Sequence, residues 1–409
     1  MKILHVNKFY FPRGGSESYY FSLERLLREF GHEVIPFALS HSKNLPSPWE
    51  KYFLPPVDFS SPNFRSGAQA AARIFGSREA VKKSREILWA ATPDLVHLQN
   101  AYRQMSPSIL KVFKERRLPV VWTLHDYYLV CSQLHLFRNG AVCTSCRGGK
   151  HYNATRFRCV DHSRAASFMG TLEQYAASTW KWYERGVDHF IAPSIFLKNL
   201  LVEWKRIPAE KISVLPYTVD PAAYDVPVVD EGYVLYLGRL SQEKGAQDVL
   251  TAAWALRDRP FRIVGTGPQE GELRAFVEKR RMLNVQFLGF LEGRPLVAQM
   301  ARASVIVVPS RWWENYPMVI LEAMMLGKPV IASRMGGIPE MVKDGERGWL
   351  FDAGNIEQLR EKIRWVMSHP VEAHEVGARA KKWVRATHLP SEHYAQLKKI
   401  YEKVGVVVE

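Results

Sequence analysis

Residues 310–324 read SRWWENYPMVILEAM, and two glutamates in this stretch, Glu314 and Glu322, are separated by seven residues. The preceding residues 303–309 are apolar and rich in β-branched side chains, which is typical of a buried strand. Pro317 suits the first turn of a following helix. At a rise of about 1.5 Å per residue, both carboxylates can contact one small polar ligand, such as a polyol or a sugar. Taken alone, the spacing also fits acidic residues that only offset a helix dipole.

Two other predicted strand ends carry groups suited to phosphate. Residues 233–237 are predicted to form a strand, and the loop after them contains Arg239 and Lys244. Ligands of open α/β sheets bind beyond the carboxyl ends of the strands, where an arginine and a lysine suit a diphosphate. After the next predicted strand, Gly265 and Gly267 allow close approach of the backbone to a ligand. Solvated surface cations are the alternative interpretation of the charged pair.

The first half of the chain has two comparable strand ends. Gly14 and Gly15 follow the first predicted strand and precede an amphipathic helix over residues 18–30. Amides at a helix start form an anion site, although glycine pairs are also common in ordinary turns. His125 and Asp126 follow another apolar run, so we expect both at the same edge of the sheet.

The alternation of strands and helices predicts an α/β fold with two doubly wound parallel sheets. A chain of 409 residues also exceeds what one hydrophobic core usually supports. A Pro-rich, weakly periodic segment at residues 216–231 predicts the linker. The predicted strands are 2–7, 33–38, 94–99, 119–124, 189–193 and 211–215 in the first half, and segments near Tyr233, Phe261, Val285, Val305, Val330 and Trp349 in the second.

Together these motifs resemble the retaining glycosyltransferases of family 4. The resemblance rests on Gly14-Gly15, His125, the loop 238–245, Gly265-Thr266-Gly267, the segment 314–322 and Gly336-Gly337-Ile338-Pro339-Glu340. It implies the GT-B fold, with two Rossmann-like domains facing each other across a cleft. Residues 1–215, completed by a helix in 388–409, would form the acceptor-side domain. Residues 216–387 would bind the nucleotide sugar.

The resemblance also implies an activity and its residues. The enzyme would move a sugar from a nucleotide-diphosphate sugar, with UDP favoured over GDP, to a saccharide or lipid-linked acceptor in cell-surface polysaccharide or glycolipid synthesis. No catalytic metal is expected. His125, Asp126, Arg239, Lys244 and Glu314 would be catalytic. The donor would contact Gly14, Gly15, Arg239, Lys244, Gly265, Gly267, Phe290, Leu291, Glu314, Tyr316, Met318, Val319 and Glu322.

All four cysteines of the chain lie close together in the sequence, within an insertion at residues 131–162. They are Cys131, Cys143, Cys146 and Cys159. Two cysteines spaced by two residues, with two more nearby, have the ligand count of a structural zinc site. His135, His151 or His162 could replace one thiolate. Thiols without metal, or a disulfide pair, are the alternatives.

The chain is basic, with a formal net charge of +15 from 56 basic and 41 acidic residues. Such a charge fits nucleic acid, anionic lipid or phosphorylated ligands alike. The basic residues are scattered and no recognition-helix pattern occurs, so nucleic acid is disfavoured. A sensor or an isomerase of nucleotide sugars on the same fold is a further alternative to transfer.

One segment suggests contact with a membrane. No stretch approaches the roughly 20 apolar residues of a membrane span, and the first strand is too short for a signal peptide, so we expect a cytoplasmic protein. A basic amphipathic surface would place it at the inner face of the membrane, and an ordinary solvated helix face is the alternative. The residues of this surface are Phe64, Arg65, Arg73, Ile74, Phe75, Arg78, Lys82, Lys83, Arg85 and Trp89.

Overall fold

The computed structural model describes residues 1–59 and 64–408, and for residues 64–67 it describes the backbone alone. The chain divides into two compact units. The first contains Met1–His135, Thr144–Pro216 and the chain from His393 onward, and the second contains Leu136–Cys143 and Tyr217–Glu392. The chain therefore leaves the first unit after Pro216 and returns to it at His393. The sequence analysis predicted that it leaves after residue 215 and returns at residue 388.

The first unit is built on a six-stranded sheet in which every neighbouring pair is parallel. Its strand order is β2-β1-β3-β4-β7-β8. A short antiparallel hairpin, β5 and β6, lies in the segment 136–143 that belongs to the second unit. These strands are β1 (Lys2–Val6), β2 (Glu33–Phe37), β3 (Leu95–Leu98), β4 (Val120–Thr123), β5 (Phe137–Arg138), β6 (Ala141–Val142), β7 (His189–Ala192) and β8 (Ile212–Val214).

The helices of the first unit include the last helix of the chain. They are α1 (Gly15–Glu29), α2 (Phe64–Phe75), α3 (Arg78–Ala91), α4 (Ser108–Glu115), α5 (Tyr152–Arg156), α6 (Arg164–Trp180), α7 (Trp182–Gly186) and α8 (Ile195–Lys205), followed after the second unit by α16 (Pro390–Lys403). The first helix begins three residues before the predicted start at residue 18, because the carbonyl of Gly14 already accepts the amide of Ser18 at 2.9 Å.

The second unit repeats the design with a six-stranded sheet in the order β11-β10-β9-β12-β13-β14, again parallel throughout. Its strands are β9 (Val234–Leu237), β10 (Phe261–Val264), β11 (Val285–Gly289), β12 (Val305–Val308), β13 (Val330–Ser333) and β14 (Trp349–Phe351). The helices are α9 (Ala246–Ala255), α10 (Glu270–Lys279), α11 (Gly293–Arg302), α12 (Met318–Met325), α13 (Ile338–Met341), α14 (Ile356–Ser368) and α15 (Pro370–Thr387), before α16 (Pro390–Lys403).

The central strands are short apolar runs because helices cover both faces of a parallel sheet. All four residues of β3, β4, β7, β12 and β13 are buried. Every strand predicted from the sequence is present, so the prediction of two parallel α/β sheets is confirmed. No helix among the described residues is long and apolar enough to cross a lipid bilayer.

Candidate functional site

Glu314 lies in the loop between β12 and α12, where the side chains of two neighbours hold it. The ammonium of Lys244 donates to Glu314 Oε1 at 2.8 Å, and the hydroxyl of Ser310 donates to the same oxygen at 2.6 Å. The Lys244 ammonium also lies 4.8 Å from the centre of the Trp312 ring. The Glu314 side chain is only 6% exposed, so the ion pair is largely shielded from water. The structure therefore brings together two of the predicted site residues, Lys244 and Glu314.

Arg311, which the sequence analysis did not assign, anchors this loop. Its guanidinium binds the carboxylate of Asp248 in a bidentate pair, with Nε donating to Oδ2 at 2.8 Å and Nη2 donating to Oδ1. Its amide donates to the carbonyl of Glu243 at 2.8 Å. Asp248 lies on α9 and is 1% exposed. Because Glu243 directly precedes Lys244, Arg311 ties the lysine loop to the glutamate loop. An acidic residue early in the helix after the Arg/Lys loop was the available sequence signal.

Two glycines let neighbouring loops pack against the glutamate loop. A side-chain carbon at Gly336, where φ is +59°, would lie 2.2 Å from the carbonyl oxygen of Glu314. The amide of Gly337 donates to that same carbonyl at 2.8 Å. At Gly245, where φ is +72°, a side-chain carbon would lie 2.0 Å from the carbonyl oxygen of Pro309. Only glycine fits at both positions, and both positions set the place of Glu314.

The glycines of the 265–267 turn have a role that the sequence analysis did not foresee. We expected them to leave room for a ligand, but side-chain carbons at Gly265 and Gly267 would meet the carbonyl oxygens of Gly238 and Leu240 at 2.0 and 2.4 Å. The amide of Leu240 donates to the Thr266 carbonyl at 2.9 Å. These glycines therefore pack the loop after β10 against the loop that carries Arg239. Contact with a donor at this turn stays a prediction.

Glu322 lies inside α12, as predicted, and it has a tyrosine partner that the sequence analysis missed. Tyr224, at the end of the short 3-10 helix Pro221–Tyr224, hydrogen-bonds to its carboxylate. Burial raises the pKa of Glu322, and the hydrogen bond from Tyr224 opposes that rise. Such a carboxylate gains from further hydrogen-bond donors, such as sugar hydroxyls. Pro317 is the residue before α12 and not within its first turn.

The other predicted donor-binding residues differ in burial and in the contacts of their side chains. Tyr316 is buried, and its hydroxyl lies 2.7 Å from Nε2 of His388, while Met318 and Val319 form the first turn of α12. By contrast, the Arg239 side chain is exposed and makes no ion pair with any described residue. Phe290, directly after β11, is 66% exposed. Leu291, next to Phe290, is partly exposed.

In the first unit, His125 follows β4 and is part of a chain of buried polar side chains. Its Nε2 donates to Oε1 of Gln99 at 2.6 Å, and the amide nitrogen of Gln99 lies 3.0 Å from Nε2 of His5. The Tyr19 ring packs edge-on against the His125 ring at 5.4 Å. Burial lowers the pKa of His125 to about 3, so the imidazole is neutral at pH 7. Gln99, at the end of β3, was not identified from the sequence.

The last helix is joined to this histidine environment. Nε2 of His393, on α16, lies 3.0 Å from the hydroxyl oxygen of Tyr19, and Nδ1 of the same ring lies 2.9 Å from the carbonyl oxygen of Pro216. The ring of His97 hydrogen-bonds to Tyr401 on the same helix and to Thr123, each at 2.8 Å. These bonds explain why the C-terminal helix completes the first unit.

Asp126 is bound by its own neighbours. The Tyr102 hydroxyl donates to Oδ2, and the amide of Tyr128 donates to Oδ1 at 2.8 Å. Burial raises its pKa, while the bond from Tyr102 and the positive charge of Arg103 lower it. The two bonds fix the turn after His125. The hydrogen bond of His125 Nε2 goes to Gln99 and not to Asp126.

Gly14 and Gly15 lie at the start of α1 and are exposed. A side-chain carbon at Gly15 would meet nothing within 4 Å, so packing does not require glycine there. Lys8, which follows β1 and was not identified from the sequence, is half-buried. Burial lowers its pKa, and the nearby guanidiniums of Arg13 and Arg103 lower it further.

The cysteine segment contains more regular structure than predicted, since it holds the β5–β6 hairpin and α5. All four cysteines are half-buried. Among the described residues, no group of three or more histidine, cysteine or acidic side chains is arranged to hold a metal ion. The zinc site stays a prediction.

The predicted membrane surface is partly wrong. Arg73 is 2% exposed because its guanidinium donates to the carbonyls of Pro55 and Gln104 and pairs with Glu79, and Ile74 is buried as well. Both residues belong to the interior of the unit. The side chains of Phe64 and Arg65 lie outside the described residues. Of the remaining set, Phe75, Arg78, Lys82, Arg85 and Trp89 are exposed, and Lys83 is half-buried.

Comparison with known families agrees with this architecture. The model of Glycosyltransferase Family 4 matches residues 13–223, which is more than half of the chain, and the model of Glycosyl transferases group 1 matches residues 226–383. The chain belongs to glycosyltransferase family 4. The resemblance seen in the sequence is thereby confirmed.

Curated relatives of this family 4 chain are distant and mostly partial matches. Glycogen synthase of Mycobacterium tuberculosis is 29% identical over 213 residues, covering 50% of this chain and 51% of that protein. An uncharacterized 42.6 kDa protein in the cps region of Klebsiella pneumoniae is 23% identical over 83% of this chain and 87% of its own length. The chain spans about half the length of the first curated relatives that it matches.

Solved structures confirm the fold of this family 4 member. Sucrose-phosphate synthase of Thermosynechococcus elongatus superposes with a TM-score of 0.70 at 19% identity, covering 98% of both chains. HepE of Anabaena, solved in complex with UDP and glucose, gives a TM-score of 0.69 at 20% identity, covering 98% of this chain and 99% of that chain. At these identities the likeness concerns the fold alone, and the GT-B class expected from the sequence is confirmed.

Proposed function

We propose that this protein is a retaining glycosyltransferase that uses a nucleotide-diphosphate sugar. The observation that carries the proposal is the shielded Lys244–Glu314 ion pair on the loops after β9 and β12. It places a cation suited to a diphosphate next to a carboxylate suited to sugar hydroxyls. Lys244 and Ser310 both donate to Glu314 Oε1, and Oε2 is the oxygen that accepts a hydrogen bond from the transferred sugar in this proposal.

In the proposed reaction, an acceptor hydroxyl oxygen forms a bond to the anomeric carbon while the bond from that carbon to the diphosphate oxygen breaks. The acceptor proton passes to the departing diphosphate on the same face of the sugar, so the configuration is retained. Arg239 and Lys244 neutralise the diphosphate, and the first turn of α12 offers unpaired amides. The protein then contributes position and charge, and neither Glu314 nor Glu322 acts as a nucleophile as in retaining hydrolases.

The other assigned residues bind and orient. A neutral His125 ring can hydrogen-bond to the transferred sugar, and its carbonyl can face positive charge that develops at the anomeric carbon. Asp126 fixes the turn that holds His125 and is the candidate for contact with the acceptor hydroxyl. Glu322 takes the ribose hydroxyls, and Gly14 and Gly15 offer amides to the diphosphate.

UDP is the favoured nucleotide, with GDP as the alternative. HepE of Anabaena has been solved with UDP and with UDP-glucose. The exposed Phe290 ring after β11 offers a face on which a base can stack, beside the backbone of Leu291. Stacking tolerates either base, so the nucleotide has to be identified by measurement.

The proposed acceptor is a saccharide or a lipid-linked saccharide of the cell surface. D-rhamnosyltransferase WbpZ of Pseudomonas aeruginosa is 30% identical over 47% of this chain. The exposed Phe75, Arg78, Lys82 and Trp89 offer a basic, partly apolar surface to anionic lipid at the inner face of the cytoplasmic membrane. Flotation with anionic liposomes at low salt tests this contact, and protein that stays at the bottom of the gradient contradicts it.

Calorimetric titration of the full chain with UDP, GDP and their common sugar conjugates, without added metal, tests the proposed function. Micromolar binding of one nucleotide selects the donor class. Incubation of that donor with candidate acceptors, followed by NMR of the anomeric proton, then tests retention. If no nucleotide binds to folded protein, the donor site is wrong. Donor consumption without an acceptor would instead favour an isomerase.

A further inference from the structure

A cavity of about 880 Å³ lies in the first unit, outside the residues assigned to transfer. Lys211, which directly precedes the outermost strand β8, lines it, together with the ends of α6, α7 and α8. We call it the edge cavity. Its volume is within the range of small-molecule sites. Six of its lining residues carry the inference: His151, Lys181, Glu184, Arg185, Arg206 and Lys211.

The first observation is an excess of positive charge. Lys181, Arg185, Arg206 and Lys211 all line the edge cavity, and none forms an ion pair with a described residue. A fifth lysine, Lys205, is 7% exposed and is already neutralised by Glu184 at 3.3 Å. Glu203 also lines the cavity and pairs with Arg147. The lining therefore keeps an excess of positive charge, which favours an anionic ligand.

The second observation is a pair of buried polar atoms that lack partners. His151 is 6% exposed, and its Nδ1 has no hydrogen-bond partner among the described residues. Oε2 of Glu184 is buried and also lacks one, although its other oxygen pairs with Lys205. Buried polar groups in folded proteins are nearly always hydrogen-bonded, so both atoms call for a ligand group or water. A carboxylate oxygen accepts only, which means that the missing partner of Glu184 carries an O–H or N–H.

The third observation concerns the wall of the cavity, which is partly apolar. Leu129, Val130, Trp204 and Ile207 line it beside the charged residues. The cavity thus combines cations, an acceptor that needs a donor, and a flat aromatic surface. A fully deprotonated inorganic anion such as sulfate has no donor for the Glu184 carboxylate, and a lipid chain would leave the polar atoms unsatisfied.

We propose that the edge cavity binds a saccharide unit that carries a carboxylate or phosphate group. The anionic group contacts the cations at the ends of α6 and α8, and the sugar hydroxyls donate to Glu184 and pair with His151. This site does not rest on the proposed transfer, since it shares no residue with the donor or His125 positions.

Helix geometry alone explains only part of the charge. Lys181 and Arg206 follow the last residues of α6 and α8, where basic side chains offset the helix dipole. That role does not account for the partnerless Nδ1 of His151 and Oε2 of Glu184. If Lys181 and Arg206 only offset the helix dipoles, replacing them should change the free energy of unfolding and leave the affinity for every ligand unchanged.

Calorimetric titrations of the full chain with glucose 6-phosphate, glucuronate, glucose and inorganic phosphate test the proposal. UDP is present at saturation, if it binds, to block the donor site. We expect at least one anionic sugar to bind tenfold more tightly than both glucose and phosphate. The sugar that does so identifies the anionic group as phosphate or carboxylate. The double variant R206A/K211A should weaken this binding at least tenfold, whereas the matched variant Lys399→Ala, an exposed lysine on α16, should not.

The variant Glu184→Gln separates sugar recognition from charge. It removes one negative charge, so it should strengthen binding of inorganic phosphate while reducing the preference for the anionic sugar. Equal affinity for phosphate and the anionic sugars in wild-type protein would overturn the proposal, as would tighter binding of a ten-nucleotide single-stranded RNA. If UDP itself fails to bind, the proposed donor site falls, and the same titrations still decide the edge cavity.

Discussion

The ammonium of Lys244 and the hydroxyl of Ser310 donate to the same oxygen of Glu314, at 2.8 Å and 2.6 Å. These two contacts fix the position of Oε1. Because the carboxylate group is rigid, they also fix the position of Oε2. It also separates the roles of the two glutamates, because Glu322 is held through Tyr224 instead.

Replacing each glutamate should therefore give a different kinetic result. Glu314→Gln removes the charge that fixes Lys244 and weakens contact with the transferred sugar, so turnover should fall by about 100-fold, the typical effect of losing one group that stabilises the transition state. The Kd for UDP should change less than threefold. Glu322→Gln should weaken UDP at least tenfold. Calorimetry and initial rates measure both effects, and an equal loss of UDP affinity in the two variants would contradict the assignment.

The Arg311–Asp248 pair should support the site without touching the ligand. Arg311→Ala leaves the 1% exposed carboxylate of Asp248 without its partner, and the loss of such a charge partner costs about 3 kcal/mol of unfolding free energy. Removing both groups in R311A/D248A should cost less than the sum of the single changes. Urea unfolding of the four proteins measures the coupling. Additive losses would show that the pair does not act as a unit.

Gly336 offers a sharper test of how the glutamate loop is placed. Gly336→Ala puts a carbon 2.2 Å from the Glu314 carbonyl oxygen, and the loop has to shift. Gly345→Ala is the matched control, because Gly345 also has positive φ, at +74°, but has nothing within 4 Å of the added carbon. Both variants should lose about 1 kcal/mol from backbone strain. Only Gly336→Ala should also lose most of its transfer activity, and equal activities would argue against precise placement.

The sequence predicted those features that follow from local chemistry. Strand ends, the position of Glu322 within a helix and the parallel architecture all follow from apolar periodicity and from Gly and Pro positions. Partners brought in from distant segments were missed, such as Asp248 for Arg311, Gln99 for His125 and Tyr224 for Glu322. Their spacing in the chain carries no periodic signal, because each contact joins the ends of different strands or helices. The burial of Arg73 was missed for the same reason.

The zinc prediction can be measured directly. If the thiolates of the cysteine segment bind zinc, protein purified without metal-affinity chromatography should contain about one zinc ion per chain. Inductively coupled plasma mass spectrometry measures this content. Cys143→Ser and Cys146→Ser should then lower that content together with thermal stability, because metal binding is coupled to folding. Cys131→Ser should lower the zinc content and the thermal stability in the same way. Metal-free protein of unchanged stability would contradict the site.

Acid should destabilise the first unit through its buried histidines. Burial lowers the pKa of His97 to about 3, that of His125 to about 3 and that of His393 to about 4. An unfolded histidine titrates near 6.5. Below pH 6.5 the unfolded chain therefore binds protons that the folded chain does not, and the free energy of unfolding falls as the pH falls towards 4.

The expected slope approaches about 1.4 kcal/mol per pH unit for each such histidine. Urea unfolding at pH 7, 6 and 5 measures this slope. His97→Gln should reduce the slope by the contribution of one histidine, even if the variant is less stable than the wild type at every pH. His374→Gln, which changes an exposed histidine, serves as the matched control and should keep the wild-type slope. A free energy of unfolding that stays constant between pH 6 and 5 in the wild type would show that these rings accept protons within the fold. His125 would then be able to act as a cation in the reaction.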